Sequence, residues 1–154
     1  NRVILNGTTM NCGGGRTTWN TWVSCEEVEF HGLVYQVDPF GTRESQVMTL
    51  GNEKGRWESF SFDIRDRERP AYFLTEDHNK GTVRRFRPNI VDWESPWEML
   101  HTEGPTDYLI VNPNDERTGG TFEWIDDIEI AKNNARTFYP QSEGIDVYGS
   151  NMYV

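Results

Sequence analysis

The sequence predicts an all-β protein of short antiparallel strands, and three observations carry that prediction. Apolar and polar residues alternate in short stretches bounded by Gly, Pro, Asn and Asp. Aromatic residues reach 13% with six Trp while only 35% of residues are hydrophobic, so burial leans on rings rather than on aliphatic runs. Related motifs return after about 50 residues, the repeat length of propeller blades. The chain therefore reads as a β-propeller fragment of about two and a half blades of four-stranded antiparallel sheets, with one short inserted helix near 126–136. All of 1–154 belongs to a single propeller domain, with approximate blades at 1–55, 56–113 and an incomplete 114–154.

Val3-Ile4-Leu5 reads as a short strand before an Asn6-Gly7 turn, which also accounts for the glycosylation-like triplet Asn6-Gly7-Thr8. Cys12-Gly13-Gly14-Gly15 reads as a glycine turn. It leads through Trp19-Asn20-Thr21-Trp22-Val23, with strand character, into Ser24-Cys25-Glu26-Glu27. Residues 32–39 alternate as a half-buried strand ending in a Pro turn, and 44–50 form a third candidate, closing a meander. The pattern restarts at 59–64, turns through 65–69 and continues at 71–77 and 81–88. Residues 97–101 and 107–113 are further strand candidates. Beyond Thr121-Phe122-Glu123-Trp124-Ile125, an Asp N-cap with early acids and late bases predicts the helix, an insertion on the rim.

A net charge of −10 and a pI near 4.7 oppose capture of a phosphate backbone or an anionic bilayer, so nucleic acid is not an expected partner. No apolar run is long enough for a membrane span. Carboxylates in excess favour hard cations wherever several converge. The chain opens on Asn1 rather than Met and ends in a strand just under way, which predicts a processed or partial piece of a longer protein.

Cys25-Glu26-Glu27 offers one soft and two hard ligands at a strand terminus. Two cysteines permit one disulfide without demanding it, so Cys25 reads as a metal ligand, as half of a disulfide with Cys12, or as a buried thiol. Cys12 reads as a structural residue of its turn. The acidic pair recurs: Leu74-Thr75-Glu76-Asp77 followed by Gly81 parallels Ser24-Cys25-Glu26-Glu27 followed by Gly32. Glu58 and Glu143 each precede the innermost strand of a blade. Inner strands of a propeller converge on its channel, so acids at equivalent positions aim at one axis. His31, His78 and His101 lack ligand spacing and read as surface residues. Arg84-Arg85-Phe86-Arg87 reads as a solvated blade edge.

With these motifs set out, the chain resembles the PhoX-type alkaline phosphatase family of secreted bacterial and algal β-propellers. The matching pieces are Asn11-Cys12-Gly13-Gly14-Gly15 with Trp19-Asn20-Thr21-Trp22-Val23-Ser24-Cys25-Glu26-Glu27, then Tyr72-Phe73-Leu74-Thr75-Glu76-Asp77, and Ser142-Glu143-Gly144-Ile145-Asp146-Val147. Trp57 stands where many members carry a His, and Asn20 replaces a Gly between the two Trp. The resemblance implies a secreted, periplasmic or extracellular phosphoric monoester hydrolase that holds calcium and iron and acts on a small phosphorylated substrate. Carried over by position, the implied metal ligands are Cys25, Glu26, Glu27, Glu58, Glu76, Asp77 and Glu143, with no catalytic residue assigned. It also implies that the remaining blades of the same protein supply further ligands and any phosphate-binding cation, so this stretch alone is expected to be inactive. Two competing expectations are a non-catalytic secreted propeller that keeps calcium for a structural or adhesive role, and a lactonase-like hydrolase with a single calcium and no need for Cys25.

Overall fold

In the computed structural model, which describes residues 2–154, the chain is all-β with one helix. The first sheet is an antiparallel meander of β1 (Asn11–Arg16), β2 (Trp22–Glu26), β3 (Val34–Val37) and β4 (Gln46–Val47). The second holds β5 (Trp57–Asp63), β6 (Ala71–Glu76), β7 (Arg84–Phe86), β8 (Thr106–Pro113) and β9 (Gly120–Ile125), again in chain order. Helix α1 (Ile128–Phe138) follows, and a hairpin of β10 (Asp146–Tyr148) and β11 (Asn151–Tyr153) forms the third sheet. The leading strands of the three sheets adjoin, β1 against β5 and β5 against β10. Among the described residues, no helix is long and apolar enough to cross a membrane.

The glycine segment is strand β1 rather than the expected turn, and its missing side chains explain why. A Cβ on Gly13 would lie 2.0 Å from the Glu58 carbonyl oxygen, one on Gly15 2.2 Å from that of Phe60, and one on Gly14 2.0 Å from that of Val23. Only glycine lets the β1 backbone lie this close to β5 on one side and β2 on the other.

Alternation then sorts the core. Tyr72 and Leu74 of β6 face the first sheet, in a cluster with Val23, Cys25, Val34, Trp57, Phe60 and Phe86. Phe73, between them in sequence, faces the other way and meets Val83, Leu109 and Ile145. β6 is thus covered on both faces, which is why its apolar run is continuous. Trp19 and Phe60 both meet the Tyr72 ring, each at 6.2 Å between centroids.

Several sequence expectations are corrected. Residues 3–5 form no strand: Val3 is 74% exposed and pairs with no strand among the described residues, and three apolar residues cannot hold an extended pairing alone. Residues 97–101 contain a 3₁₀ turn, Glu98–Leu100, instead of a strand. Pro96 presets its helical φ, and bonds from Glu98 N to Ser95 O and from His101 N to Glu98 O close it. β7 lies inside its sheet, so Arg84 is buried, stacked on Trp57 and paired with Glu53 at 2.7 Å, not solvated at an edge. His101 is half-buried, bonded to Val47 O and the Gln36 amide. The helix begins with Asp127 as N-cap, its carboxylate accepting from Glu129 N and Ile130 N.

Gly15→Ala is expected to destabilise the protein by about 2 kcal/mol or more, because a methyl must enter the Phe60 carbonyl. Gly119→Ala, with open space around it, should stay within about 0.5 kcal/mol of wild type. Denaturant unfolding of both variants checks the contrast.

Candidate metal centre

Two strand positions and one residue at a strand end bring one soft and two hard donors together. Cys12 lies near the start of β1, Glu58 near the start of β5, and Glu27 just beyond β2. One ligand atom from each lies within 4.8 Å of the other two. The close approach at Gly13 delivers the thiol: Cys12 Sγ–H donates to Glu58 Oε1 at 3.2 Å. Glu27 is held by its N–H to Met10 O at 2.8 Å and by a backbone bridge to Arg56.

Arg56 joins a third acid, Asp77, to the group. The Asp77 N–H donates to Arg56 O at 2.9 Å, which places the two side chains together. One terminal guanidinium nitrogen of Arg56 donates both to Glu27 Oε1 and to Asp77 Oδ2, the latter at 3.2 Å. The other Asp77 oxygen, Oδ1, is buried without a hydrogen-bond partner.

Negative charge is concentrated here. The hydrogen bond to Glu58, then burial and the Glu58 charge, push the Cys12 thiol up to about 11. Burial raises the Glu58 carboxyl, and the charges of Glu27, Glu143 and Asp77 add to it against the Cys12 bond. Glu27 is lowered, chiefly by Arg56. A thiol held protonated by adjacent carboxylates becomes a good ligand once a cation supplies the opposing charge. Sulfur with carboxylate oxygens suits iron, oxygens alone suit calcium, and the unpartnered Asp77 Oδ1 is a hydrogen-bond acceptor with no donor. The residues present therefore fit such ions.

The sequence-derived candidates are distributed as follows. Glu27 and Glu58 are in the group, and Asp77 is tied to it through Arg56. Glu143 is exposed; its charge acts on Glu58, and its carbonyl accepts from Thr75 Oγ1 at 2.7 Å. Glu76 lies by Arg84, 3.9 Å away. Glu26 is buried and occupied, Oε1 accepting from Thr9 N and Thr9 Oγ1 and Oε2 from Leu33 N. Cys25 is 0% exposed within the apolar cluster, and burial drives its thiol upward. Both cysteines are free, so no disulfide joins them. Trp57 is fully buried and donates its indole N–H to Gly32 O and Glu53 O.

Sequence reasoning missed Cys12 and Arg56. A signal for the first was present: Cys25 is in phase with Val23 on β2, the pattern of a core residue, whereas Cys12 is followed by three glycines on the edge strand β1.

A large cavity lies elsewhere. A trough of about 1060 Å³ runs between the second sheet, α1 and the β10–β11 hairpin, walled by Phe73, Leu109, Val111, Trp124, Val147 and Met152. Arg65 and Arg85 also line it, and none of Cys12, Glu27 and Glu58 does.

A solved structure, "Pseudomonas fluorescens PhoX in complex with vanadate, a transition state analogue", matches 93% of this chain with a TM-score of 0.68 and 16% sequence identity. The chain spans 38% of the length of that protein. At this identity the likeness is one of fold. No family model matches the chain, and no curated protein matches it.

Cys12 is exposed and Cys25 buried, so native alkylation is expected to label Cys12 alone. Glu58→Gln removes the carboxylate that keeps the thiol protonated, so the Cys12 rate at pH 8 should rise roughly tenfold or more. Mass spectrometry after timed iodoacetamide treatment reads both effects.

Proposed function

We propose that this chain is part of a metal-dependent propeller phosphatase that hydrolyses phosphate monoesters at the group formed by Cys12, Glu27 and Glu58, with Asp77 beside it. The observation that carries the reading is the convergence of a thiol and two carboxylates within 4.8 Å where the leading strands meet, in a chain whose fold matches a vanadate-bound PhoX. The sheets are read as blades of one propeller, completed by further blades of the same protein, with the group at the mouth of its channel. The metals are calcium and iron, and the expected location is secreted or periplasmic.

Cys12 supplies the soft ligand, taking the place that the sequence suggested for Cys25. Its proton, now donated to Glu58 Oε1, leaves as the thiolate forms. Glu27, Glu58 and Asp77 supply hard oxygens, while Glu143 adds negative charge at the rim. Glu26 and Glu76 keep structural bonds. Bound cations would neutralise a phosphate monoester and polarise it towards displacement.

The test is iron and calcium content of the whole protein, measured with hydrolysis of p-nitrophenyl phosphate before and after chelation. Metal with chelator-sensitive turnover is expected, and Glu58→Gln should lower turnover roughly a hundredfold through lost metal. Calcium without turnover would overturn the reading and leave a structural propeller.

A further inference from the structure

We propose that Arg56 is an exchangeable counter-ion: it holds Glu27 and Asp77 until a divalent cation takes over their charge, and its guanidinium then binds an oxygen of the phosphoryl substrate. The inference deepens the phosphatase reading above and rests on it.

Backbone pairing sets the position of Arg56. It bridges Glu27 on one side and receives the Asp77 N–H on the other, and it lies two residues before Glu58, with fully buried Trp57 anchoring the strand between them. Its head group has less constraint. The side chain is 34% exposed, and one terminal nitrogen makes both carboxylate bonds. Among the described residues, its other terminal nitrogen and Nε have no partner, so the planar fork that grips phosphate is unused. Arg84, which pairs with Glu53 and lies by Glu76, contrasts with it. It is buried, stacked on Trp57 and close to Tyr108, and has no such freedom.

Charge dictates the order of events. With Glu27, Glu58 and Asp77 against the single Arg56, a phosphoryl dianion meets net repulsion. A divalent cation reverses the sign and simultaneously competes for the two carboxylates that restrain the arginine. Cation binding and release of Arg56 are therefore one exchange, and anion binding follows it.

The test uses metal-stripped whole protein, with calcium and then inorganic phosphate titrated calorimetrically into wild type, Arg56→Gln and Arg56→Lys, and circular dichroism confirming the fold of each. Arg56→Gln should bind calcium roughly tenfold tighter, because a competing positive charge is gone. Its calcium-saturated form should bind phosphate roughly tenfold or more weakly. Arg56→Lys keeps the charge but not the fork, so calcium affinity should hold near wild type while phosphate weakens by a smaller factor. Unchanged or weaker calcium binding by Arg56→Gln, or undiminished phosphate binding by both variants, would overturn the proposal while leaving the metal centre intact. Wild type that binds no calcium would remove the metal reading itself. Should Arg56→Gln fail to fold, equal phosphate affinity in Arg56→Lys and wild type would overturn the role assigned to the fork.

Discussion

The contact on which this structure depends is the approach of the glycine strand β1 to β5. Three consecutive residues without side chains let one backbone lie where any Cβ would strike a carbonyl oxygen. That approach closes the first sheet against the second and delivers Cys12 to Glu58. The large rings beneath the junction, Trp57, Phe60 and Tyr72, fill the space behind it. Core packing and site geometry thus share one cause.

Electrostatics decides what such a junction can do. Unit charges 4 Å apart at a protein surface interact by about 4 kcal/mol at an effective dielectric of 20, so several acids at one point resist full ionisation without a cation. Here Glu58 and Cys12 respond by holding protons more tightly, whereas Glu27, next to Arg56, stays easily ionised. The group is divided between donors that already carry charge and donors that take it up when a cation arrives.

Much of this architecture was legible in the residues. Alternation located β3, β5, β6 and β8 to within a few residues, and the Asp cap and charge order located α1, because each depends on local periodicity or local hydrogen bonding. The glycine strand was not, since a Gly run looks like a turn until the partner that demands bare backbone is in view. Residues 97–101 misled for a related reason: in so short a segment, apolar spacing cannot separate a strand from a 3₁₀ turn. At the site, the recurrence of acids drew attention to Glu27, Glu58 and Asp77, which do lie near one another. It could not tell which cysteine joined them, because that depends on strand phase and on inter-sheet contact together. Arg56 was invisible for the same reason, being brought to Glu27 and Asp77 by pairing across distant segments.

The proposed metal centre takes its thiol from Cys12 and leaves Cys25 as a core residue. Iron and calcium per chain, measured by elemental analysis in whole protein carrying Cys12→Ser or Cys25→Ser, tests it most directly. The proposed metal centre predicts that Cys12→Ser loses iron while keeping its fold, and that Cys25→Ser keeps metal but unfolds more readily, a buried sulfur having been replaced by a hydroxyl with no partner. Loss of iron in the folded Cys25→Ser protein, with full metal retained in Cys12→Ser, would contradict it.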